Sequence, residues 1–76
     1  MHHDSSAVGA TGILIVATDG DDGYGEVLIK IRGGTETYLA VSDVPLAKGA
    51  SVLVVEAIGP RTVTVVEWPE SLVVLD

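Results

Sequence analysis

Short runs in which apolar and polar residues alternate, broken by clusters of Gly, Pro and Asp, make up most of this chain. Alternation puts every second side chain on one face of a strand, whereas an amphipathic helix needs apolar residues three and four apart. No helical periodicity persists over a dozen residues, so the pattern predicts strands throughout. The first is expected over Gly12 to Thr18, closed by the turn cluster Asp19-Gly20-Asp21-Asp22-Gly23. The second runs from Tyr24 to Arg32 and the third from Thr35 to Ser42. Gly33-Gly34 between them predicts a two-residue hairpin, because type I′ and II′ turns need positive φ. Asp43 to Ala50 reads as a connection: Pro45 lacks the N–H that a ladder needs, and Gly49 supplies a turn. Ser51 to Ile58 and Thr62 to Trp68 complete the set, joined by Gly59-Pro60-Arg61.

With Gly33-Gly34 as the turn, Arg32 faces Thr35. Val27, Ile29 and Ile31 then share a core face with Ala40, Tyr38 and Glu36. The outer face carries Leu28, Lys30 and Arg32 opposite Leu39, Thr37 and Thr35. A slip of one residue would exchange the faces of the third strand. In the fourth strand Val52, Val54 and Ile58 alternate against Leu53, Val55 and Ala57, apolar on both sides. Trp68 is expected to plug the core or its rim beside Pro69. Val, Ile and Leu dominate, stiff side chains that suit a pleated surface. The fold class that follows is all-β: a small five-stranded OB-like barrel whose closure removes exposed edges. The helix usual between the third and fourth strands of such barrels is missing, because Asp43 to Ala50 is too short. Residues 1–8 are assigned to a flexible N-terminus or cloning remnant, 9–68 to the barrel and 69–76 to a tail. Within that tail, Leu72-Val73-Val74-Leu75 is apolar enough to form a sixth short strand or to dock elsewhere.

Composition narrows the function. Seventy-six residues hold one domain, and the absence of cysteine excludes disulfides, thiolate metal cages and a cysteine nucleophile. Eleven acidic residues against four basic give a net charge of −7, the wrong sign for a protein whose task is to neutralise phosphates. The longest unbroken apolar run, Ile13 to Ala17, is far shorter than the ~18–20 residues of a membrane-spanning helix. No basic segment followed by an apolar one is present, so no signal peptide is expected.

Few residues carry chemistry. The Asp19-Gly20-Asp21-Asp22-Gly23 cluster offers hard-cation ligands, but its spacing does not match an EF-hand and its composition is that of a solvated loop. His2 and His3 stand without further ligands in a polar N-terminal stretch expected to be loose, so neither a metal site nor a Ser-His-acid triad is expected. No enzyme, metal or cofactor is therefore expected. Lys30 and Arg32 on the outer face are the candidate polyanion contact of an OB-type nucleic-acid binder. Tyr38 points inward, however, and leaves no base-stacking platform beside them. Leu28, Leu39 and Val41 share the outer face and form the candidate interaction patch, a partner surface or the packing site of the C-terminal tail.

Several segments resemble the C-terminal domain of NfeD-like membrane proteins. Val8-Gly9-Ala10-Thr11-Gly12 is similar to that family's Gly-x-x-Gly opening, and Gly23-Tyr24-Gly25-Glu26-Val27 to the start of its second strand. Gly34, Tyr38 and Ala40 follow as a glycine, an aromatic and a small residue. Leu46-Ala47-Lys48-Gly49-Ala50-Ser51-Val52-Leu53-Val54-Val55 resembles the apolar-x-x-Gly-x-x-Val-x-Val-Val signature. The resemblance implies a five-stranded OB-fold tethered to membrane helices in the parent protein, with its soluble part on the cytoplasmic side. It also implies stomatin- or flotillin-like (SPFH) membrane-protein partners, in membrane organisation or membrane-protein quality control. Longer relatives carry a serine protease domain, no part of which is expected here.

Overall fold

A computed structural model describes residues 7–20, 23–31 and 33–68. Five strands form: β1 (Thr11–Val16), β2 (Gly25–Ile31), β3 (Gly34–Val41), β4 (Ser51–Gly59) and β5 (Thr62–Glu67). They close into a barrel in the order β1-β2-β3-β5-β4. Neighbours are antiparallel except β3 and β5, which run parallel through Leu39↔Thr62, Ala40↔Val63 and Val41↔Thr64. The described residues contain no α-helix, and 43–50 is irregular as expected. The expected sixth strand at Leu72–Leu75 lies outside the described residues.

The alternation read from the sequence builds the interior. Leu14, Val27, Ile29, Tyr38, Ala40, Val52, Val54, Val63 and Val65 are buried in one cluster. Removing each of the larger aliphatic side chains from water contributes about 1.5–3 kcal/mol. Gly12 points into this interior, opposite Ile29 on β2 and Val52 on β4. A Cβ there would collide with the Leu28 carbonyl oxygen and sit 3.0 Å from Val27 Cγ2. The two backbones therefore approach closely only because residue 12 has no side chain.

The β2–β3 hairpin departs from its expected register. Ile31 pairs with Gly34, Ile29 with Glu36 and Val27 with Tyr38, so Gly34 belongs to β3 rather than to the turn. Gly33 alone of the pair takes the positive φ, +82°. The pairing has shifted by two residues, one full side-chain period, so the alternation of inward and outward positions is kept while the cross-strand partners change; Glu36, expected on the core face, is exposed.

Two further expectations are corrected. Ile58 does not share the buried face of Val52 and Val54: the irregularity between Val54 and Glu56 inserts one residue, so Ala57 pairs with the buried Val63 and Ile58 is exposed. Each extra residue in a bulge reverses the alternation beyond it. Trp68 is 40% exposed and plugs no core; its backbone N–H donates to the Ser51 carbonyl at 2.8 Å, extending the β4–β5 ladder. β1 also stops at Val16, short of the expected Thr18. Thr18 is instead tied into the 42–46 connection: its hydroxyl lies 2.6 Å from Ser42 Oγ and accepts the Leu46 N–H at 2.9 Å. Ser42 Oγ donates to the Val44 carbonyl at 2.6 Å, so the short contact to Thr18 is a bond that the threonine donates.

Arg61, expected only as a turn residue, closes one end of the barrel. Its guanidinium lies 4.7 Å from the centre of the Tyr38 ring, donates to the Thr37 carbonyl at 2.7 Å and pairs with Glu36 at 3.3 Å. Its carbonyl accepts the Leu39 N–H at 2.8 Å, and its φ is +53°. The β4–β5 turn is thereby fastened to β3.

Candidate interaction surface

The outward positions of the strands carry the candidate residues. Leu28 on β2 and Leu39 on β3 are 38% and 43% exposed, and Val41 is half-buried beside Thr64 of β5. The observed register separates the two leucines. Leu28 lies opposite Thr37 and Leu39 opposite Glu26, so they meet only as diagonal neighbours, about 7–8 Å apart.

Across its other edge Leu28 has a closer apolar partner. Ile13 of β1 pairs directly with it, and Ile13 is 48% exposed. Ile13 in turn pairs with Ser51 of β4, beside which Trp68 lies. The next row continues from Thr11 through the half-buried Leu53 to the exposed Val66. The outer apolar surface thus extends from Leu28 across β1 and β4 toward β5, where the sequence pointed only to β3. Ile13 was discoverable from alternation, since Gly12 and Leu14 face inward. Trp68 was not, because its position depends on the β4–β5 ladder.

Lys30 lies opposite Thr35 and lines a shallow groove of about 240 Å³ with Thr11, Gly12, Ile13 and Leu28. Arg32, its companion in the polyanion reading, lies outside the described residues, as do His2, His3, Asp21 and Asp22. Tyr38 is buried to 2% exposure under the Arg61 guanidinium, while Tyr24 is exposed at the start of β2. Among the described residues no group of three or more His, Cys, Asp or Glu could hold a metal ion. No helix among them is long and apolar enough to cross a membrane.

The fold has a counterpart among solved structures. The chain is 38% identical to the soluble domain of the NfeD protein YuaF from Bacillus subtilis. The two superpose with a TM-score of 0.65 over 78% of this chain and 70% of that one. No curated protein matches. Residues 11–66, from the first residue of β1 to the penultimate residue of β5, match the family model of the NfeD C-terminal domain. This chain belongs to the NfeD C-terminal domain family.

Proposed function

We propose that this barrel is a noncatalytic docking domain of a membrane-anchored NfeD protein, held on the cytoplasmic side. Its partner is an SPFH membrane protein of the stomatin or flotillin type, in membrane organisation or quality control. The contact surface is the outer face centred on Leu28, with Leu39 and Val41 on one side and Ile13 on the other. The observation that carries this reading is the pairing of two exposed apolar side chains, Ile13 and Leu28, in the middle of a solvent-facing sheet. Outer positions of a small barrel are ordinarily polar, and contiguous exposed apolar residues favour a partner. Family membership and the resemblance of the parent proteins support the choice of partner class.

The test is direct binding of the purified domain to the SPFH protein of the same organism by calorimetry. Leu28→Asp and Leu39→Asp are expected to weaken that binding at least about tenfold, the loss of roughly 1.4 kcal/mol. Unchanged affinity in both variants would remove the surface from the proposal, and no binding by the parent domain would remove the partner. The polyanion reading has Lys30 in its favour, and a titration with single-stranded oligonucleotide separates it. Tight binding at low salt that fades as salt rises would replace the docking reading.

A further inference from the structure

The outward row of β2 reads Glu26, Leu28, Lys30: an acid and a base placed symmetrically about an apolar centre. Same-face neighbours on a strand stand about 6.6–6.8 Å apart, so each charge is that far from Leu28. Laid face down on a second copy by a half-turn about an axis between the two sheets, crossing the strands over Leu28, the row meets its copy running the opposite way, with Glu26 over Lys30 and Lys30 over Glu26. A surface with that property is complementary to its own copy, as a two-fold interface requires.

We propose that the β1–β2–β3 outer face binds a second copy of this chain about a two-fold axis at Leu28. Leu28 packs against Leu28 of the second copy, with Ile13 beside each. Glu26 of each chain meets Lys30 of the other. Stacked sheets lie about 10 Å apart, a gap that Glu and Lys side chains reaching from both sides can close.

The surroundings fit this occupant. Ile13 directly opposite Leu28 widens the apolar centre, while Thr37 flanks it on β3. Thr11 and Thr35 stand with Lys30 around the groove, giving small polar residues at the rim. An apolar centre inside a polar rim is the usual anatomy of a protein interface. Glu26 and Lys30 have no ion pair within the chain among the described residues; the pair found there is Arg61 with Glu36. Both charges are therefore available to a second molecule. The net charge of −7 on each copy opposes association at long range. Salt at about 0.15 M screens that repulsion beyond roughly 8 Å, so the dimer is expected to be weak and to tighten from low to physiological salt. This inference goes beyond the docking function and is tested on the purified chain alone. A dimer would cover Leu28, so an SPFH partner would compete with self-association.

Sedimentation equilibrium up to about 1 mM protein at 0.15 M salt measures it. The wild-type chain should show a concentration-dependent monomer–dimer equilibrium. Glu26→Lys sets lysine against lysine in both symmetry-related pairs, and Lys30→Glu sets glutamate against glutamate. Each is expected to weaken the dimer about tenfold or more. The double variant Glu26→Lys with Lys30→Glu restores self-complementarity and should recover the dimer. Both positions lie on the outer face, and circular dichroism verifies that each variant is folded. A wild-type chain that stays monomeric throughout overturns the proposal. So does a dimer indifferent to the single exchanges, or one that the double exchange does not rescue.

Discussion

Replacing Gly12 by alanine tests the packing of the barrel where β1 and β2 approach closely. The added methyl points inward between β2 and β4, colliding with the Leu28 carbonyl oxygen and meeting Val27 Cγ2 at 3.0 Å. The first obstacle is backbone within a paired strand, which cannot rotate aside as the end of a flexible side chain would. Overpacking of a well-filled core costs about 1–3 kcal/mol. Alanine restricts the unfolded chain and returns about 0.4–1 kcal/mol of that. The net expectation is a loss near 2 kcal/mol, toward the upper part of the range because backbone must move. For a domain of this size each kcal/mol shifts Tm by about 4–8 °C, so Gly12→Ala should melt about 8–16 °C lower. The control is Gly34→Ala, where the nearest atom to a new Cβ is the Ile31 carbonyl oxygen at 4.0 Å and φ is not positive. It should leave stability unchanged or raise it slightly. Thermal and urea unfolding followed by far-ultraviolet circular dichroism would measure both. Equal stabilities for the two variants would refute the claim that close approach of β1 and β2 at residue 12 demands glycine.

Other substitutions separate the remaining contributions. Arg61→Ala removes the bond to the Thr37 carbonyl, the Glu36 pair and the stack on Tyr38, while Arg61→Gly removes the same contacts but accommodates φ +53°. Glycine should therefore be the milder change by about 1 kcal/mol in urea titrations, since an L-residue in the left-handed region carries a cost of that order. Thr18→Val keeps the side-chain shape but leaves the Leu46 N–H without its acceptor and Ser42 Oγ without a donor. A cost of about 1–3 kcal/mol is expected, larger than for Ser42→Ala, which leaves the Leu46 N–H bonded to Thr18. Hydrogen exchange should show that the Leu46 amide loses protection in Thr18→Val and keeps it in Ser42→Ala.

Most of the barrel was legible in its alternation. Alternation alone puts Val27, Ile29, Tyr38 and Ala40 inward and Leu28, Lys30 and Leu39 outward, as the structure has them, even though Gly34 belongs to β3 and not to the turn. A two-residue shift preserves faces, so the hydrophobic pattern cannot distinguish it from the true register. What the pattern could not contain was the partner of each outer residue. Leu28 and Leu39 were expected directly across from one another; the register sets Thr37 and Glu26 between them. Ile58 departs from the simple alternation for a related cause, since a bulge is a property of two strands held together and leaves little trace in one.

The sequence by itself determined that the chain forms short strands, which faces of β2 and β3 are buried, and the family to which it belongs. Those properties are local: alternation, β-branched residues, glycine and proline at the turns. The tertiary structure decided which outer residues become neighbours. It brought Ile13 beside Leu28, carried Trp68 to Ser51, and folded Arg61 back over Tyr38 from a turn more than twenty residues away. Cross-strand register and barrel closure create these adjacencies, and both depend on side chains distant in sequence packing into one interior. The candidate surface is built from them.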